Sequence, residues 1–190
     1  MDAPEFDETL ALLPGIVEVL RSESDRGCVL LAGALVEAEL ESHLLRRLLP
    51  KVATRDELIG EDARAPIATF SQKINLAYRV GLIPLSERTI YHQLRELRNA
   101  CAHDITAQTF TQNHFRDRTT NIVRESHELW ESVRGAVSRK MKPGECPETV
   151  SEFVELLTWR YAFEFFFALV VAHKRVQLRH LRPIEPAYAA

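Results

Sequence analysis

Tyr91-His92-Gln93-Leu94-Arg95-Glu96-Leu97-Arg98-Asn99-Ala100-Cys101-Ala102-His103-Asp104 gathers two Arg, one Asn, two His and two acids into fourteen residues. Arg with His suits a phosphodiester. A guanidinium offers a fixed fork of donors to phosphate oxygens. An imidazole can take a proton from a ribose 2′-OH or give one to a leaving 5′-oxygen. Such a pair cleaves RNA without a metal and leaves a 2′,3′-cyclic phosphate. The candidate roles are Arg98 as phosphate clamp, His103 as general acid/base and Asn99 as positioning residue. Arg95, Asp104 and His92 stand in support. The structural alternative is a salt bridge or a helix-end contact made by Arg98 and His103. On one helix Arg95, Asn99 and His103 sit four apart and share a face. Arg98 lies about 140° from His103. Either the helix ends before His103, or the two work with groups from another chain. Arg175 and His180 repeat the spacing, but without Asn and in a basic helix end, and are set aside.

The elements that must hold these residues read as helical almost throughout, with no period-two segment between turn signals. Residues 5–22 form a first weak helix, broken near Pro14-Gly15. A strong helix runs from about Arg26 to Leu49, its stripe being Leu31, Leu35, Ala38, Ser42, Leu45 and Leu49, and Pro50 ends it. Another spans about Pro66 to Val80, with Ile67, Phe70, Ile74, Ala77 and Tyr78 inward and Gly81 as C-cap. Ser86 caps the next, which runs to about Ala102 with Ile90, Leu94, Leu97 and Cys101 inward. A long helix covers about Gln112 to Lys140 on the stripe Phe115, Thr119, Ile122, Ser126, Leu129, Val133 and Ala136. Residues 142–147 turn, and a last helix starts near Glu148 and passes Arg175.

Other clusters admit bland and sharp readings. Glu37, Glu39 and Glu41 suggest a solvated face; no Glu-x-x-His accompanies them, so a carboxylate metal site is disfavoured. Phe163, Phe165, Phe166 and Phe167 are too wide for one buried stripe. They read as part core and part homodimer contact, or as core alone. Lys174, Arg175 and Arg179 lie in the most basic stretch and are candidates for nucleic-acid phosphates, with a solvated helix end as the alternative. No nucleotide-binding loop, serine-hydrolase elbow or zinc-protease motif is present.

Composition bounds these readings. The 190 residues are 46% apolar and 27% charged, with a net charge of −3. That describes an ordinary globular chain and disfavours a whole-surface grip on duplex DNA. Cys28, Cys101 and Cys146 are an odd, scattered set, so neither a disulfide framework nor a zinc site is indicated. No cofactor or metal is expected. The start is acidic and no apolar run is long enough to span a bilayer, so no membrane association and a cytoplasmic location are expected.

Arg98-Asn99-Ala100-Cys101-Ala102-His103 resembles the Arg-Asn-x-x-x-His signature of the HEPN superfamily of all-α domains. The run from Leu76 to Ile83, with Leu94 to Asn99, is similar to the branch of mannitol operon repressor-like proteins. The likeness covers about residues 26–140. It implies an all-α, HEPN-like single bundle of about five main helices, with 1–25 as an N-terminal helical extension, 26–180 as the bundle and 181–190 as a tail. It also implies a metal-independent endoribonuclease, toxic or defensive, with Arg and His meeting at a homodimer interface, RNA as substrate and an antitoxin or regulatory protein as partner. A non-catalytic transcriptional regulator or interaction module is the alternative from the same superfamily. No convincing helix-turn-helix is visible, which ranks direct DNA recognition third.

Overall fold

Apolar residues recurring every three to four positions make helices the only economical way to bury this chain. The computed structural model describes residues 3–60, 65–103, 110, 113–125, 131, 134–135, 142 and 147–186. Among them run α1 (Ala3–Arg21), α2 (Asp25–Arg47), α3 (Phe70–Arg79), α4 (Leu85–His103), α5 (Asn113–Glu125) and α6 (Val150–His180). They form a single all-α bundle. Among the described residues there is no strand, only an isolated bridge between Ile59 and Ile67. α2 is central and packs on α1, α3, α4 and α6, while α6 packs on α1, α2 and α5.

α1 is part of the bundle rather than an extension. Leu13, Ile16, Val17 and Leu20 are buried in the common core. The expected break near Pro14 does not occur. A proline inside a helix costs about 3 kcal/mol. Four apolar side chains at about 1.5–3 kcal/mol each when fully buried outweigh that.

α2 buries a different face from the one its leucines suggest. Leu45 and Leu49 are half exposed. The inward face is Cys28, Val29, Ala32, Val36, Leu40 and Leu44, interleaved with Gly33, Glu39 and His43. Counting apolar residues alone hides this face, because Glu39 and His43 find partners inside. Ser24 caps the helix by accepting from the Gly27 N–H.

α3 starts later than the sequence suggests, at a capping box made by Thr69 and Gln72. It ends on Gly81 at φ 71°. The Leu82 N–H donates to Ala77 O (2.8 Å) and the Gly81 N–H to Tyr78 O (3.1 Å), a Schellman closure. Phe70, Ile74 and Ala77 are buried, whereas Tyr78 is exposed. α4 begins at Leu85 rather than after a Ser86 cap, and buries Ile90, Leu94, Leu97 and Cys101 as expected, together with Tyr91.

In α5 Phe115, Thr119 and Ile122 face inward. The expected continuation through Ser126, Leu129, Val133 and Ala136, Cys146 and most of the 142–147 turn lie outside the described residues. α6 is bent at Thr158 (φ 63°, ψ 152°). Phe163, Phe166 and Phe167 are fully buried within one chain, and Phe165 packs on the core beside Phe153 and Tyr161. The aromatic cluster is therefore covered by this chain and argues for no second surface. No helix among the described residues is long and apolar enough to cross a membrane.

Candidate functional site

α4 carries the site, and its regularity decides the geometry. The helix is unbroken from Leu85 to His103. Arg98 and His103 therefore diverge by about 140° within one chain, while Asn99 stands about 40° and Arg95 about 80° from His103. Asn99 and His103 are exposed. Among the described residues neither ring nitrogen of His103 has a partner. One carbonyl in the last turn of α4, Ala102 O, accepts from Arg26 Nη2 (3.3 Å). Asp104 lies outside the described residues.

Arg98 turns the other way, into a niche between α2 and α3. Its Nη1 donates to Glu37 Oε2 at 2.8 Å. The guanidinium lies 5.9 Å from the centre of the Phe70 ring, within cation–π range. The Arg98 stem lies so close to α2 that a Cβ on Gly33 would sit 2.7 Å from Arg98 Cδ. Its side chain is still 33% exposed.

Behind Arg98 lies a charge cluster. Lys73 Nζ is 3.0 Å from Glu37 Oε1 and 2.7 Å from Glu41 Oε2, with only 4% of its side chain exposed. Burial would lower the Lys73 pKa, but the two carboxylates outweigh it and hold the ammonium above its usual range. Glu37, Glu39 and Glu41 are thus not a solvated face. Glu37 and Glu41 clasp Lys73, and Glu39 pairs with Arg175 Nε at 2.8 Å.

The supporting residues are only partly assembled. Arg95 Nη2 is 3.6 Å from Glu96, and its buried Nε has no partner among the described residues. His92 Nε2 donates to Asn75 Oδ1 (3.2 Å), as do Arg88 Nε and Nη2 (3.2 and 3.0 Å). Burial, then the charges of Arg88 and Arg95, lower the His92 pKa. That keeps His92 neutral and makes it a tether between α3 and α4.

The basic stretch on α6 is only partly open. Lys174 is buried and pairs with Glu87 at 2.7 Å. This removes it from the residues able to meet phosphate. Arg175 and Arg179 stay exposed, Arg175 with its Nε on Glu39 and Arg179 with its Nη1 on Glu8 (2.7 Å). Among the described residues no group of three or more His, Cys, Asp or Glu is placed to hold a metal ion.

Sequence spacing did not single out Gly33 or Lys73. The one signal was a lysine on an apolar face, three residues after Phe70 and one before Ile74. A buried lysine demands carboxylates, and Glu37 with Glu41 share one face of the facing helix. No protein-family model, curated protein or solved structure matches the chain.

Proposed function

We propose that this protein is a metal-independent endoribonuclease of HEPN type. It acts in the cytoplasm as a homodimer, with a toxic or defensive role restrained by an antitoxin or regulatory partner. The observation that carries the reading is the state of the α4 side chains. Arg98 is tied through Nη1 alone and is one third exposed, while Asn99 and His103 stand open on the same helix. The resemblance of this segment to the HEPN signature supports it.

On this reading a second copy answers the divergence of Arg98 and His103. Arg98 of one protomer would hold the scissile phosphate against His103 of the other. The imidazole takes the 2′-OH proton, the 2′-oxygen forms a bond to phosphorus, and the bond to the 5′-oxygen breaks. The imidazolium gives the proton back to the leaving oxygen, directly or through water, and the products are a 2′,3′-cyclic phosphate and a 5′-hydroxyl. The guanidinium stabilises the charge that builds on the phosphoryl oxygens.

The test is cleavage of structured and unstructured RNA in EDTA by wild type, Arg98→Ala and His103→Ala. Activity with cyclic-phosphate ends, lowered at least ~100-fold in each variant, is expected. Wild-type protein that cleaves no RNA overturns the reading. A second reading, a non-catalytic regulator or interaction module, draws on the same Arg98–Glu37 pair at 2.8 Å. There the motif would serve to hold α4 on α2, and Arg98→Ala would lower stability without any change in RNA chemistry.

A further inference from the structure

Several arginines among the described residues meet carboxylates, and Arg98 and Arg160 are held differently. Arg160 has acceptors on every nitrogen. Its Nε meets Glu164, Nη1 meets Asp25 (2.9 Å), and Nη2 meets the carbonyls of Leu20 (2.9 Å) and Glu23 (2.8 Å). That is a guanidinium used up by structure. Among the described residues Arg98 meets acceptors through Nη1 only. A guanidinium has five N–H donors in a fork, so most of the Arg98 fork remains for a ligand.

We propose that Glu37 is the positioning residue of the active site, holding one edge of Arg98 so that its remaining donors face an RNA phosphate. This inference rests on the ribonuclease reading above. Lys73 already has Glu41 at 2.7 Å, so one carboxylate balances the buried ammonium without Glu37. Glu37 divides its oxygens, Oε1 to Lys73 and Oε2 to Arg98. Lys73 thereby fixes the carboxylate that fixes Arg98. The other walls of the niche agree. Gly33, one turn before Glu37, leaves room for the Arg98 stem, and Phe70 supports the guanidinium plane. A free arginine side chain forfeits rotamer entropy when it is ordered. A niche that has already ordered it spares the bound complex that cost.

The experiment measures binding of a 2′-O-methyl RNA oligonucleotide, which cannot undergo 2′-OH attack, and single-turnover cleavage of the matching RNA. The proteins are wild type, Glu37→Gln, Arg98→Ala and the double variant, each with its Tm. Glu37→Gln keeps the size and loses the charge. The expected result is about tenfold weaker binding or slower cleavage for Glu37→Gln, with no further loss when it is added to Arg98→Ala. Gly33→Ala is the second variant. It pushes the same stem while leaving Glu37, Lys73 and Glu41 intact, and it should give the same loss and the same silence beside Arg98→Ala. If Arg98→Ala is impaired but Glu37→Gln and Gly33→Ala behave as wild type, the inference is wrong and the ribonuclease reading stands. Fully additive losses also overturn it, because Glu37 would then act independently of Arg98. If Arg98→Ala itself matches wild type in both assays, the ribonuclease reading fails and takes the inference with it.

Discussion

His43 is a buried base with one nitrogen committed. Its Nδ1 lies 2.7 Å from Glu39 O. A carbonyl only accepts, so the proton sits on Nδ1. Nε2 is buried and has no partner among the described residues. Burial, opposed by the Glu39 hydrogen bond and reinforced by Lys174, lowers its pKa. The pKa of His173 is lowered too, by burial first and then by Lys174. In the unfolded chain these imidazoles take up a proton near pH 6.5, and in the folded chain only at lower pH. Their contribution to stability is therefore complete above about pH 6.5 and is lost as the pH falls below it. Each proton of difference is worth about 1.4 kcal/mol per pH unit. Thermal unfolding followed from pH 7.5 to 5 should show Tm falling below pH 6.5, with a shallower fall in His43→Gln. Equal slopes in the two proteins would refute this account of His43. At this scale the sequence reveals residue types and not commitments. Arg98, Arg160 and Lys174 look alike in the chain, and only packing makes the first available and the other two structural. Buried charges were unreadable because each needs a partner from another helix, such as Glu87 for Lys174 or Arg175 for Glu39.

Helix positions were more legible than helix faces. α2 and α4 fall within two or three residues of where periodicity and breakers place them, because Pro50, Gly81 and Pro84 act locally. The inward face of α2 was not legible, since its neighbours decide it and they tolerate Glu39 and His43. The bend in α6 was equally hidden. Nothing in Leu157-Thr158-Trp159 announces a positive φ, and β-branched residues rarely adopt one. Thr158 caps the helical run that follows, its hydroxyl accepting from the Tyr161 N–H at 3.4 Å. A residue held in such a region stores about 1–3 kcal/mol. Glycine has no such penalty, and as an N-cap it gives up only a few tenths of a kcal/mol relative to threonine. Thr158→Gly should therefore raise stability by about 1 kcal/mol in urea unfolding, whereas Thr158→Pro, with φ fixed near −65°, should lower it. A destabilised Thr158→Gly would mean that the cap outweighs the strain.

At the scale of the molecule, two devices join elements far apart in sequence. Arg160 joins the end of α1, the start of α2 and the body of α6 through Leu20, Glu23, Asp25 and Glu164. Without it the buried Glu164 keeps, among the described residues, only Arg21, at 3.5 Å. Breaking a buried pair from one side costs about 3–5 kcal/mol. Arg160→Ala should accordingly lose about 3 kcal/mol or more in denaturant unfolding, and a loss under 1 kcal/mol would deny it this joining role. The second device is the unbroken α4, which separates Arg98 from His103 by about 140° in each chain. That separation turns the ribonuclease proposal into a stoichiometric one. In a two-fold dimer each Arg98 would face the partner's His103, giving two equivalent sites. Arg98→Ala and His103→Ala are then each inactive alone. Unfolding and refolding them together in equal amounts makes about half the dimers mixed, by random pairing. A mixed dimer has one site lacking both groups and one site complete. The mixture should thus recover about one quarter of wild-type cleavage, from half the dimers with half their sites intact. If Arg98 and His103 of the same chain formed the site, every mixed dimer would lack one group at each site. No activity would return, and the cross-chain arrangement would fall even if both residues proved essential.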